Sequence, residues 1–175
     1  MKTITPPVQH MFDLGDLSQA GSIVTVQAAP ADLPQLAAWA GVEAVRSFKG
    51  IVSLRRISHT HFAFEADLEA EVVQNCVVTL EHVTSQIARH LERELQLVPH
   101  APVDKGELTL TAGDDDVPEA ITNRNYDLAA PLLEEFALAI DPYPRKGGVA
   151  FAQPAEPEEA CENPFAVLKS LKERG

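Results

Sequence analysis

Cysteine, tryptophan and basic side chains are all scarce in this 175-residue chain, which has two cysteines (Cys76 and Cys161), one tryptophan (Trp39) and 14 Lys plus Arg against 26 Asp plus Glu. Two cysteines are too few for a secreted disulfide scaffold and fit a reducing compartment. A chain of this length buries roughly 70% of its unfolded surface, so it needs neither disulfides nor a structural metal to fold. No uninterrupted apolar stretch approaches the ~20 residues of a membrane helix. The opening MKTITPPVQHMF has neither the basic start nor the apolar core of a signal peptide. These absences point to a cytoplasmic protein with no membrane partner. No phosphate-cradling glycine loop, dinucleotide fingerprint or nucleophile motif is present, so nothing in the sequence supports an enzyme, a cofactor or a small-molecule substrate.

The net charge is −12. Its distribution is uneven: residues 1–100 carry −4, residues 101–119 carry −5 and residues 120–175 carry −3. The middle segment holds Asp114, Asp115 and Asp116 together with Pro102, Gly106, Gly113 and Pro118, and is expected to be a solvated acidic loop over about 101–120. Neutralising phosphates requires clustered Lys and Arg, and this balance argues against tight binding to nucleic acid. One local exception is Arg46, Lys49, Arg55 and Arg56, four bases with no acid between them. They are a candidate RNA contact, with Phe48 or Phe62 available for stacking. Equally, they are the bases an acidic neighbouring strand would pair with.

Periodicity supplies the elements. SIVTVQA at 22–28 is short and β-branched, a first strand. Asp32 is placed to cap LPQLAAWA, and Gly41 to end it, with Trp39 packing on the sheet. At 61–73, Phe62, Phe64, Ala66, Leu68, Ala70 and Val72 alternate with His61, Ala63, Glu65, Asp67, Glu69 and Glu71, which predicts a long strand with one buried face. Phe48, Val52 and Leu54 alternate with Lys49, Ile51, Ser53 and Arg55 just before it, and the joint SHTH predicts an antiparallel hairpin. Residues 84–97 fit a helix through Ile87, Leu91 and Leu95 or a strand through Leu91, Leu95 and Leu97. Asp127 is placed to cap a helix whose stripe is Leu128, Leu132, Phe136 and Ile140, with Glu134 and Glu135 facing water. Residues 141–164 contain five prolines and an acidic run, a linker. Asn163, Pro164 and Phe165 then open a short amphipathic helix with Lys169, Lys172 and Arg174 near its end. His59 and His61 could bring two imidazoles near a metal, but no spaced carboxylate or thiolate joins them, so no metal site is assigned.

Three segments together resemble the YceD-like family, the large ribosomal RNA subunit accumulation proteins. The first is Cys76-Val77-Val78-Thr79-Leu80-Glu81-His82-Val83. The second runs from Asp127-Leu128 through Glu134-Glu135 to Pro142 and Pro144, and the third is Asn163-Pro164-Phe165 through Lys169 to Lys172. Thr79 stands where the family pattern has a second cysteine, so the family's C-x-x-C is absent and Cys76 is expected to be a small buried or half-buried residue at the end of a strand rather than a ligand. The resemblance favours a strand at 84–97. It implies a non-enzymatic ribosome-biogenesis factor partnered by a pre-large-subunit particle, a ribosomal protein or ribosomal RNA; the −5 charge of 101–119 makes the acidic segment 104–119, with Asp114–Asp116, and the C-terminal helix the expected partner contacts. The architecture expected is α+β: an antiparallel meander of about five strands over 22–97, or a partly closed barrel, with a few packed helices. Residues 1–150 would form this single domain and 151–175 the linker and last helix.

Overall fold

Why one face of the sheet is apolar and the other charged follows from the period-two side-chain alternation along its three long strands. The computed structural model describes residues 6–99 and 118–149. Element order is β1 (Met11–Asp13), β2 (Ser22–Gln27), α1 (Leu33–Ala40), β3 (Ala44–Arg56), β4 (His61–Asn75), β5 (His82–Leu97), β6 (Glu119–Ile121), β7 (Asn125–Asp127) and α2 (Ala129–Ala139). β2 to β6 form one five-stranded sheet in chain order, and β1 pairs with β7 in a separate two-stranded ribbon. The sheet is open, so the α+β class holds and the barrel variant does not.

The β3–β4 hairpin is antiparallel, with Phe48 opposite Ala70 and Leu54 opposite Phe64. Residues 82–97 form a strand, resolving the helix-or-strand ambiguity. Its core-side positions are Ile87, Arg89, Leu91, Arg93 and Leu95, facing Ala70, Leu68, Ala66, Phe64 and Phe62 in register. Every second core-side residue is thus an arginine, which turns a period of two into an apparent period of four. The expected meander needs one correction. Four strands, not five, lie in 22–97, and the fifth is β6, paired in parallel with β5 through Leu95↔Glu119 and Leu97↔Ile121. The final residues of the expected acidic loop are therefore strand. Three residues are too few to display a period, although Ile121 is buried.

α1 and α2 cover the same face. Leu36 and Ala37 of α1, and Leu132, Leu133 and Phe136 of α2, join Phe48, Val52, Leu54, Phe64 and Leu68 in one core. Phe48 and Phe136 meet edge to face at 5.4 Å, a geometry the ring quadrupoles favour. α2 lies so close to β3 that a Cβ at position 50 would run into the Leu132 side chain. Asp32 occupies the position before α1 but makes no side-chain cap bond. The second residue of the helix is Pro34, which lacks the N–H such a cap would meet. Gly41 ends α1 at φ 69°, as expected. The cap position of α2 is Leu128, not Asp127; Asp127, two residues before the helix begins, accepts from Ala129 N–H at 3.0 Å and from His10 N–H at 2.8 Å. A single carboxylate thus holds both the first turn of α2 and the N-terminal arm.

Candidate functional site

Among the described residues, nothing packs on the face of the sheet opposite the helices. Its positions on β2 are Ile23, Thr25 and Gln27; on β3 they are Lys49, Ile51, Ser53 and Arg55, all exposed. β4 contributes Glu65, Asp67, Glu69 and Glu71, and β5 contributes His90, Glu92 and Glu94. Six carboxylates therefore stand on two adjacent strands. Glu65 lies directly opposite Glu92 in the register, an arrangement that is repulsive by itself. His90 sits among them: Nδ1 is 2.7 Å from Asp67 Oδ1, and Nε2 is 3.2 Å from Glu92 and 3.8 Å from Glu65. Its hydrogen bonds to Asp67 and then Glu92 raise the imidazole pKa above its ordinary value. Glu65, His90 and Glu92 are also the one group of three metal-capable side chains among the described residues; all three are exposed, and His59 and His61 belong to no such group. His61 instead faces the hydroxyls of Ser58 and Thr60 in its own turn.

The candidate basic cluster is dispersed by the same alternation. Arg46 lies at a bulge in β3 and reaches Glu71 at 3.0 Å, holding that carboxyl below the usual carboxylate range together with Gln86. Arg56 points the other way, donating to the carbonyls of Leu14 and Gly15 at 3.1 Å each, where it fastens the turn after β1. Lys49 stands opposite Glu69. Arg55 borders a cleft of about 780 Å³ that also includes Glu65, Glu92, Glu94, Glu119 and Glu134 against Arg93. The four bases form no single continuous patch: Arg46 and Arg56 make contacts within the chain, and Lys49 and Arg55 adjoin carboxylates.

The resemblance motifs build a junction away from this face. Cys76 is buried directly after β4, as expected. Its Sγ accepts from the backbone N–H groups of Thr79 and Lys146, both at 3.4 Å, and hydrogen bonds led by the Thr79 side chain lower the thiol pKa to about 6. Val77 N–H donates to Pro144 O at 3.0 Å, and Glu81 meets Lys146 Nζ at 2.9 Å. Gln74 Nε2 donates to Asp141 O at 2.8 Å. The first motif thus closes onto the end of the second. Pro144 is buried and Pro142 exposed. Leu80 is the non-glycine residue with positive φ (60°) among those described, and its side chain is exposed.

Leu128 is fully buried. Glu134 and Glu135 do more than face water: they meet Arg93 at 2.6 Å and Arg89 at 3.6 Å and tie α2 to β5. Arg93 also approaches Glu119 at 3.5 Å. Tyr126 donates to Glu119 at 3.1 Å, with burial and then that carboxylate pushing the phenol pKa up. Asp114, Asp115, Asp116, Asn163, Pro164, Phe165 and Lys169 lie outside the described residues. Among the described residues no helix is long and apolar enough to cross a membrane.

The acidic face was written in the sequence as the polar half of the β4 alternation. Its weight as a surface emerged only when β5 was placed beside it, adding Glu92 and Glu94. No curated protein and no solved structure is matched by the chain. A family model described as large ribosomal RNA subunit accumulation protein YceD matches residues 64–172, from near the start of β4 to the end of the third motif. With well over half its length matched and the motif junction in place, the chain belongs to the YceD family, whose name ties it to accumulation of large-subunit ribosomal RNA.

Proposed function

We propose that this protein is a non-enzymatic, cytoplasmic ribosome-biogenesis factor that supports accumulation of large-subunit ribosomal RNA by associating with a protein component of the precursor particle. Family membership supplies the process. The observation that carries the mode of action is the sorting of charge. Arg46 and Arg56 are engaged within the chain, Arg46 with Glu71, whereas five further carboxylates crowd the face that the described elements leave open. Such a face repels the phosphates of naked RNA and attracts a basic protein, and complementarity of this kind sets encounter rate and partner choice more than raw affinity. Direct RNA contact through Arg46, Lys49, Arg55 and Arg56 is disfavoured because these residues form no continuous basic surface.

Sedimentation of lysate on sucrose gradients at low and moderate salt tests the reading. The protein is expected to co-migrate with pre-large-subunit RNA at low salt and to leave it as salt rises, and its depletion is expected to lower that RNA. Residence in the light fractions alone, with precursor RNA unchanged after depletion, refutes it.

A further inference from the structure

We propose that the β4–β5 half of the open sheet face is the docking surface for an extended lysine- and arginine-rich polypeptide segment, laid along β4; this rests on the protein-partner reading above. Three features of the face lead there. First, it is a sheet face on which none of the described elements packs: α1 and α2 both lie on the opposite side. Second, Glu65, Asp67, Glu69 and Glu71 recur at every second residue of β4, so neighbouring carboxylates are roughly 6.5–7 Å apart along the strand. An extended chain carrying a base at alternate positions repeats at the same interval, whereas a helix places same-face residues three or four positions apart. Third, Glu65 and Glu92 oppose each other with Glu94 beyond, and an incoming ammonium or guanidinium between the two rows would relieve that repulsion.

The remainder of the face fixes where the segment lies. Lys49 and Arg55 on β3 deflect a basic chain from the β2–β3 half and toward β4–β5. Ile51 of β3, opposite Asp67 and 42% exposed, gives the methylene stems of Lys and Arg apolar surface to lie against at the border. His90 crosses between the rows, with Asp67 on one ring nitrogen and Glu92 on the other. The occupant is therefore a basic polypeptide in extended form, such as an unstructured tail of an RNA-binding protein, rather than RNA itself.

The experiment uses the purified full chain and three labelled probes followed by fluorescence anisotropy: a peptide with lysine at alternate positions, an isomer with its lysines contiguous, and a single-stranded RNA oligonucleotide. The alternating peptide is expected to bind more tightly than its isomer, and the RNA weakest. Combining Glu65→Gln, Asp67→Asn and Glu69→Gln is expected to weaken the peptide about tenfold at low salt, and less as salt screens the face. The control pair Asp16→Asn and Glu43→Gln, away from the carboxylate rows, is expected to leave binding unchanged. Unfolding midpoints of all variants guard against loss of fold. Equal binding of the two peptides, tighter binding of RNA, or indifference to the triple substitution overturns the proposal. In cells, a triple variant that co-sediments with precursor particles and restores ribosomal RNA as fully as wild type also overturns it, leaving the broader function intact. If the wild-type chain itself fails that assay, the functional reading falls and the anisotropy result alone decides whether the face binds basic chains.

Discussion

Replacing Gly50 by alanine tests how α2, the helix of the second motif, is seated on the sheet. A Cβ at this position would lie within contact distance of Leu132 Cδ1, 2.9 Å from Cδ2 and 3.2 Å from Cγ. Leu132 is fully buried and cannot swing into solvent. Two effects compete. Alanine restricts the unfolded chain and suits a strand better than glycine, a gain of about 0.4–1 kcal/mol. Overpacking a filled core costs about 1–3 kcal/mol, so the net expectation is a loss of about 1–2 kcal/mol, or roughly 2–8 °C in Tm. Urea denaturation of the full chain, followed by far-UV circular dichroism, measures it. A double-mutant cycle with Leu132→Ala sharpens the test. The leucine truncation alone is expected to cost about 2–5 kcal/mol, but in that background Gly50→Ala should cost less than about 0.5 kcal/mol or become favourable, because the cavity receives the methyl group. A neutral or stabilising Gly50→Ala in the wild-type background, or strict additivity of the two changes, would refute the contact as the reason for the glycine.

Three further outcomes follow from single side chains. Asp127→Ala should cost about 1–2 kcal/mol by removing the acceptor shared by His10 and Ala129, with hydrogen exchange quickening at both amides; Asp127→Asn, which keeps Oδ1, should recover most of the loss, and protection unchanged in the alanine variant would contradict the shared role. The His90 pKa is raised in the folded chain, so its stabilising contribution is fully present below the unfolded-state pKa and fades as pH rises through the folded one. The stability gap between wild type and His90→Gln should therefore shrink toward alkaline pH, and an NMR titration placing the ring at or below the ordinary imidazole value would count against the Asp67 contact. The Cys76 thiol is depressed to about 6, the opposite sign: its contribution is present above the unfolded thiol pKa and lost as pH falls through about 6, so the gap between wild type and Cys76→Ala should widen from pH 6 to 9. Because Cys76 is fully buried, a thiol reagent should label it only slowly in the folded chain despite its low pKa; rapid native labelling would show the junction to be open.

How much of this was legible depended on how long each pattern ran. β4 alternates without a break from His61 to Val72, and both its faces were assigned before any partner strand was known. β5 is one residue longer yet ambiguous, because Arg89 and Arg93 occupy core-side positions where the sheet meets the rim of α2. The glutamates that make those arginines tolerable lie more than forty residues away on another element, and no local window contains both. Asp127 was readable as an acceptor at the start of α2 but not as the anchor of an arm 117 residues earlier. The basic cluster is split for a geometric reason. Arg55 and Arg56 are adjacent in sequence, and adjacency on a strand means opposite faces. One therefore borders the open face and the other binds the carbonyls of Leu14 and Gly15.

The family motifs and the acidic face separate in a way that bears on how substitutions will be interpreted. Cys76, Glu81, Asp127, Leu128, Glu134, Glu135 and Pro144 all make contacts within the chain: to backbone amides, to Lys146, to Arg93 and Arg89, or in the core. Those contacts close the 76–81 turn onto the 141–146 segment and hold α2 on the sheet, so they set the shape of the scaffold without appearing on its carboxylate-bearing side. The carboxylates of β4 and β5 do the reverse. Glu65, Asp67 and Glu92 have half or more of their side-chain surface in solvent, where an ion pair adds little to stability but still acts on an approaching charge. Loss of ribosomal RNA after a motif substitution is therefore expected to travel with a fall in Tm and to be rescued by lower temperature. The same loss after neutralising Glu65, Asp67 and Glu69 should arrive with Tm unchanged, because what has been removed is a surface rather than a support.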